Sequence, residues 1–208
     1  MRWVVGIDEV GRGALAGPVV VVAAMIAVND KGRVQHIPFC GLKDSKKLSA
    51  PQRDTWLHYF KKQPTLKFAT ARVYPRGIEK FNISGAANKA ALSAFNQLLI
   101  RNRLSSNTPI FLDGGLFLGS KINQYKYYKA AVSKPKADET IPVVAAASII
   151  AKVTRDRFMV KLAKQHPQYG FEVHKGYGTA AHQKAIKKNG PCEAHRLTFL
   201  RKKPSIRG

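Results

Sequence analysis

The chain opens on a short apolar run, Trp3 to Ile7, that ends in two adjacent carboxylates, Asp8 and Glu9, followed by the turn Gly11-Arg12-Gly13. Valine and isoleucine in a run bounded by glycine read as a buried strand. A carboxylate in such a place is costly unless it is paired, hydrogen-bonded or bound to metal. Acids are scarce here, 12 Asp and Glu against 36 Lys and Arg, so two side by side mark the first place to look for chemistry. A second apolar run, Val19 to Val28, follows Gly17-Pro18 and returns as a strand, giving a β-hairpin with an elaborate loop.

At 208 residues the chain has room for one substantial core, and it reads as one domain over residues 1–200 with a basic tail, 201–208. The net charge of +24 says nothing about fold but implies a polyanionic partner, with nucleic acid the leading candidate. A hydrophobic content of 45% excludes a disordered basic tail as a description of the whole. Cys40 and Cys192 lie far apart, with no Cys-x-x-Cys and no histidine at zinc spacing, as in a reducing compartment. Val19 to Val28 is too short to span a bilayer, and the acids ahead of it are unlike a secretory signal. The expectation is a monomeric cytoplasmic enzyme with no membrane partner.

Further along, Ser49 and Pro51 predict a helix N-terminus, with the helix running to about Lys62. Lys67 to Tyr74 alternates as a third strand. Ala87, Ala91, Ala94, Phe95 and Leu98 form one apolar stripe within a helix over Ser84 to Arg103. Pro109 to Leu112 is an apolar run that ends at Asp113-Gly114-Gly115, repeating the design of the first strand. A short strand is expected over Tyr128 to Ser133, a long helix from Ile141 to about Gln165, and a last helix from Thr179 to Lys188 that stops at Gly190-Pro191. Strands alternating with helices give an α/β class with a mixed sheet and helices packed against it.

Asp8, Glu9, Asp113 and Asp138 each lie at the end of an apolar strand or the entrance to an apolar helix, unlike Asp30, Asp54 and Glu79 in polar turns or exposed helix. Taken singly, each has an ordinary role as a turn cap. Taken together, four carboxylates make a hard oxygen site suited to Mg²⁺ or Mn²⁺. In a basic protein that suggests two-metal phosphodiester hydrolysis, with ions about 4 Å apart. Asp8 and Glu9 point to opposite faces of a regular strand, so sharing one site requires the strand to end or bulge at Glu9. Asp156, four residues after Lys152, reads as half of a helix-surface ion pair rather than a fifth catalytic acid. His174, His182 and His195 read as structural or substrate-edge residues.

Gly6-Ile7-Asp8-Glu9-Val10-Gly11-Arg12-Gly13-Ala14-Leu15-Ala16-Gly17-Pro18-Val19 resembles the opening motif of ribonuclease HII, the type 2 ribonuclease H. Four further motifs match in order: Asp44-Ser45-Lys46-Lys47-Leu48-Ser49, Leu112-Asp113-Gly114, Lys136-Ala137-Asp138 with the helix from Ala145 to Arg157, and His174-Lys175-Gly176-Tyr177-Gly178-Thr179. His195-Arg196-Leu197-Thr198-Phe199 resembles the closing signature of bacterial members. The resemblance implies a ribonuclease H-like sheet with Asp8, Glu9, Asp113 and Asp138 as metal ligands. It also implies hydrolysis of RNA in RNA–DNA hybrids and cleavage 5′ to a single ribonucleotide in duplex DNA, leaving 3′-hydroxyl and 5′-phosphate ends. It assigns Gly11, Arg12 and Gly13 to sensing the 2′-hydroxyl, Tyr177 to packing on the neighbouring deoxyribose, and Lys46 to holding a phosphate. Ala137 stands where many members have glycine. The short C-terminus is without the longer helices of some members and without an evident clamp-docking peptide, and no added N-terminal domain suggests type HIII. A junction resolvase would share four acids but not Gly-Arg-Gly with Tyr177. A non-catalytic nucleic-acid binder would be supported by charge alone.

Overall fold

The computed structural model describes residues 2–34, 48–102, 104–119 and 131–201. The first run becomes β1 (Arg2–Val10) and the second β2 (Val19–Val28), paired antiparallel in unbroken register from Arg2 opposite Val28 to Val10 opposite Val20. There follow α1 (Ala50–Lys62), β3 (Leu66–Val73), α2 (Pro75–Asn102), β4 (Ile110–Asp113) and β5 (Ala131–Lys134). The chain ends in α3 (Ala137–Thr140), α4 (Pro142–Gln165), a 3₁₀ turn (Pro167–Tyr169), α5 (Phe171–His174), α6 (Ala180–Asn189) and α7 (Leu197–Arg201). The sheet order is β3-β2-β1-β4-β5, with β3 antiparallel to β2 and β4 parallel to both β1 and β5.

Every residue of β2 is buried, and its side chains alternate between two cores. Val19, Val21, Ala23 and Met25 pack with Ala87, Ala91, Ala94, Phe95 and Leu98 of α2. Val22, Ala24 and Ile26 pack with α4 and with Leu57 and Phe60 of α1 on the other side. A strand covered on both faces needs no polar alternation, so its sequence is one continuous apolar run. No helix among the described residues is long and apolar enough to cross a membrane.

Two local features set the frame. Ser49 caps α1 through a reciprocal box with Gln52, as the sequence predicts. The helix expected over Ser84 to Arg103 begins earlier, at Pro75, with a break at Asn82 (φ 55°, ψ 172°), whose Oδ1 accepts the Gly85 N–H at 2.9 Å. Asn82 thus recaps the helix internally, and the segment before it lacks the apolar stripe by which the second half is readable. The strand expected over Tyr128 to Ser133 is seen as β5 over Ala131–Lys134; residues 128–130 lie outside the described residues. On the opposite face, α4 crosses β1 at Gly6, where a Cβ would stand 2.6 Å from Val144 N and 2.7 Å from Val143 C. Only glycine lets the first turn of α4 approach the strand that carries Asp8 so closely.

Candidate active site

The carboxyl ends of the parallel strands β1, β4 and β5 lie along one edge of the sheet, where ligand sites form in open α/β sheets. β1 brings Asp8 and Glu9 to that edge, β4 ends on Asp113, and β5 leads through Pro135 and Lys136 into α3, which bears Asp138. Asp113 Oδ1 accepts the Ala137 N–H at 2.7 Å, tying the turn that carries Asp138 to β4. Asp8 and Asp138 are buried, each only 4% exposed.

β1 neither ends nor bulges at Glu9, contrary to the expectation from its sequence; its register with β2 is regular through Val10. Val5 and Ile7 face the α2 core and Val4 and Val10 the α4 core, so Glu9 and Asp8 do start from opposite faces. The pairing of β1 with β4, however, stops at Ile7 opposite Leu112. Val5 N–H bonds Pro109 O on the β4 side at 2.9 Å, and Glu9, of the same parity, turns its N–H to that now open edge. Asp8 Oδ1 reaches around to accept it at 2.7 Å. Among the described residues that edge of β1 is unpaired beyond Ile7, and the site forms there with no irregularity in the strand.

Burial dominates the electrostatics. It raises the Asp8 carboxyl to about 6, with the Ser148 hydroxyl bond opposing, the Asp113 charge adding to the rise, and Lys152 opposing. Burial and then the Asp8 charge raise Glu9 to about 8, against the pull of Arg12. Lys152 Nζ donates to Ser148 Oγ at 3.2 Å, so α4 supplies a Lys152–Ser148–Asp8 line of support. Glu9 Oε1 meets Arg12 Nη1 at 3.5 Å, while Glu9 Oε2 is buried with no hydrogen-bond partner among the described residues. An orphaned, buried carboxylate oxygen beside two further acids fits a hard divalent cation. Asp8, Glu9 and Asp113 act on one another electrostatically and could hold such ions, with Asp138 carried toward the same sheet edge by the turn that Asp113 ties down.

The loop after β1 is clamped from beneath by two fully buried arginines. Arg196 donates to Gly17 O from Nε at 3.0 Å and Nη2 at 2.9 Å, and to Arg12 O from Nη1 at 2.9 Å. Arg155 donates to Pro18 O and Ala16 O at 3.1 Å and to Lys175 O at 2.8 Å. Its guanidinium lies 5.2 Å from the ring centre of Tyr177, which is 39% exposed. Leu15 and Ala16 N–H both bond Gly176 O, at 2.8 and 3.2 Å, so the loop and Tyr177 share one ledge. Arg12 reaches out to Ser84 Oγ at 3.1 Å as well as to Glu9. Gly13 is exposed, and a Cβ there would meet nothing within 4 Å.

Lys46 and Cys40 lie outside the described residues. Asp156 pairs across helices with Arg53 at 3.6 Å, correcting the pairing expected from its spacing to Lys152. Glu79 also does more than face solvent: it accepts the Thr198 N–H and hydroxyl at 3.2 and 3.1 Å, docking α7 on α2. Ser148, Lys152, Arg155 and Arg196 escape sequence reasoning because their partners are loop carbonyls or a carboxylate far away in the chain. The one available signal is the four-residue spacing of Ser148 and Lys152, which puts both on one face of α4. Among the described residues, the tight group of metal-capable side chains is His166, Cys192 and Glu193, whose ligand atoms lie within 4.8 Å of one another. These side chains are already engaged: His166 Nε2 meets Glu193 Oε1 at 3.2 Å, and Cys192 Sγ faces His195 Nδ1, outside the group, at 3.3 Å. A cavity of about 700 Å³ near Trp3, Asp30 and Leu104 sits at the other end of β1, away from the acids.

A family model described as ribonuclease HII matches residues 5–202. The chain is 41% identical over 204 residues to ribonuclease HII of Chlamydia trachomatis serovar A, covering 98% of this chain and 84% of that one. It is 38% identical over 213 residues to ribonuclease HII of Oleidesulfovibrio alaskensis, covering 96% and 80%. Among solved structures it resembles ribonuclease H2 of Pyrococcus horikoshii OT3, with a TM-score of 0.71, 26% identity, and coverage of 94% of this chain and 93% of that one.

Proposed function

Because this chain belongs to the ribonuclease HII family and is thus a nuclease of the ribonuclease H type, we propose that it hydrolyses RNA in RNA–DNA hybrids and cuts 5′ to single ribonucleotides embedded in duplex DNA. Residues 1–200 form the catalytic unit on this reading, with 201–208 a basic extension, working in the cytoplasm as a monomer. The observation that carries it is the buried Asp8 beside the half-buried Glu9 at the strand edge, one Glu9 oxygen buried without a hydrogen-bond partner among the described residues, next to Asp113 and the turn of Asp138.

Asp8, Glu9, Asp113 and Asp138 would hold Mg²⁺ or Mn²⁺. Bound there, two such ions supply activation of the attacking water and stabilisation of the departing oxygen. Water attacks the phosphorus on the 5′ side of the ribonucleotide, the bond to the upstream 3′-oxygen breaks, and the products are a 3′-hydroxyl and a 5′-phosphate. Ser148, backed by Lys152, favours the ionised form of Asp8 against its burial and fixes its orientation. Arg12 pulls Glu9 in the same direction, against a burial that outweighs it, so bound cations would be what keeps both carboxylates ionised.

Selection of the sugar falls to the loop. Gly13 is a glycine for which the fold gives no steric reason, and close approach by the 2′-hydroxyl side of a ribonucleotide supplies one. Tyr177 packs on the adjoining deoxyribose, and Lys46 holds a phosphate. A duplex with one ribonucleotide, incubated with Mg²⁺, Mn²⁺ or chelator beside all-DNA and long-hybrid duplexes, tests the reading. Cleavage only with metal, only where RNA is present, and with a labelled 5′-phosphate on the ribonucleotide is expected. Cutting of the all-DNA duplex at a similar rate, or a 2′,3′-cyclic phosphate product, would overturn it.

A further inference from the structure

We propose that His182 and His195 are positioning residues for Tyr177, two neutral imidazoles in series that fix its backbone relative to the Gly11-Arg12-Gly13 loop; this rests on the substrate-recognition reading above. The bonding pattern leaves a single proton arrangement for neutral rings. His182 Nδ1 lies 2.9 Å from Tyr177 O, and a carbonyl only accepts, so Nδ1 carries the hydrogen. His182 Nε2 is then an acceptor, and its partner at 3.1 Å, His195 Nε2, must donate. That leaves His195 Nδ1 as an acceptor, and the Cys192 N–H donates to it at 3.0 Å. Cys192 Sγ also faces that nitrogen at 3.3 Å, where the thiol S–H can donate to the same lone pair, so every contact agrees with the tautomers assigned. A second proton on either ring would set two N–H groups against each other or against Cys192 N–H.

The series has an anchor at each end. His195 forms an isolated bridge with Ala16, flanked by Gly17 N–H to Ala194 O and Arg196 N–H to Leu15 O, both at 2.8 Å. Its backbone is thus pinned to residues 15–17, just beyond Gly13. At the other end, the Tyr177 N–H bonds His174 O at 3.0 Å, and Tyr177 O receives Thr179 N–H at 2.9 Å together with His182. The ring orientations are fixed by packing: His174 stacks on His182 at 4.2 Å and 17°, Phe171 meets His182 edge-on at 5.5 Å, and Tyr169 meets His195 edge-on at 4.7 Å. His182 is 0% and His195 3% exposed. Burial lowers the basicity of both, which keeps the rings neutral at pH 7. Apolar side chains would fill this space at less desolvation cost. What the imidazoles add is direction, a hydrogen bond aimed at one atom of the residue that meets the sugar.

Two measurements test this. Long-range ¹⁵N–¹H correlation on the full chain at pH 7 should show His182 as the Nδ1–H tautomer and His195 as the Nε2–H tautomer; the reverse tautomer on His182, or an imidazolium, would overturn the proposal without any variant. Cleavage of the single-ribonucleotide duplex is then compared for wild type, Tyr177→Ala, His182→Phe and the double variant. His182→Phe should lower kcat/KM by about tenfold or more, as misplacement of a substrate-contacting group does. Added to Tyr177→Ala it should cost no more than about a further twofold, because both act through the same side chain. His195→Gln, which can still donate to His182, should stay within about threefold of wild type while His195→Leu falls with His182→Phe. Losses that multiply in the double variant, or a wild-type rate for His182→Phe, would overturn the inference. Wild-type protein that fails to cut the single-ribonucleotide duplex counts against the proposed function itself, whereas a cutting wild type with multiplying losses counts against this inference alone.

Discussion

Gly11 and Gly13, two residues apart, are glycines for opposite reasons. Gly11 has φ of +90° and no room for a Cβ, which would overlap Arg155 Nε, an atom pinned by its bond to Pro18 O. At Gly13 a Cβ would meet nothing in the protein. Gly11→Ala should therefore lower thermal stability, by about 1–3 kcal/mol on the scale of overpacking. Gly13→Ala should leave the melting temperature unchanged and lower kcat/KM on the single-ribonucleotide duplex. Melting curves beside cleavage rates separate the two, and a Gly13 variant that cuts normally would contradict the assignment of that residue. The acids carry a second expectation. Glu9 rises from 4.5 to about 8 in the folded protein, so between those values the folded state holds more protons than the unfolded. The contribution of these two acids to metal-free stability is then greatest below about pH 4.5 and falls as pH climbs toward 8, with the Asp8 part lost by about 6. In chelator, Glu9→Gln should flatten that fall and melt above wild type at pH 8, each kcal/mol being worth about 2–4 °C at this length. Parallel pH curves for the two proteins would contradict it. The four acids stand out in the sequence because each closes an apolar run or, for Asp138, stands at the entrance to an apolar helix. The proton arrangement of His182 and His195 was not, since it depends on contacts that no spacing announces.

At the scale of elements, α4 lies against β1 too closely for a side chain at Gly6. Gly6 faces the start of α4 with no space for a methyl group, and the same helix carries Ser148 to Asp8 two residues further along the strand. Gly6→Ala should push the helix away, costing about 1–3 kcal/mol in urea unfolding and lowering cleavage more than the stability loss explains. Unchanged stability and activity would contradict that packing. β2 and the second half of α2 could be read from sequence because one long apolar run and one clean stripe each have a single solution. The first half of α2 could not: its restart at Asn82 uses a positive φ and a side-chain cap, with no apolar repeat to show it. The continuation of β1 past Glu9 was equally hidden, because what frees the edge is the short length of β4, a property of a different segment.

For the molecule as a whole, a net charge of +24 suits the proposed duplex substrate. Duplex affinity should fall steeply and linearly in a plot of log K against log salt, with a slope near −0.9 per phosphate neutralised; a flat response would mean the charge serves another end. The α/β class, the mixed sheet and the acidic edge followed from patterning along the chain. The clamp of Arg155 and Arg196 on the 12–18 loop did not, because it joins segments about 140 and 180 residues apart through backbone carbonyls that carry no sequence signature. The central claim, that the acids at the end of β1 serve the hydrolysis, is tested most directly by Asp8→Asn. Cleavage of a duplex carrying one ribonucleotide is measured with saturating Mg²⁺ or Mn²⁺, alongside the melting curve. The expected result is a loss of more than about a hundredfold, the scale for removing one group that supports transition-state charge, in a protein that melts no lower than wild type. Cleavage by Asp8→Asn at the wild-type rate would contradict it.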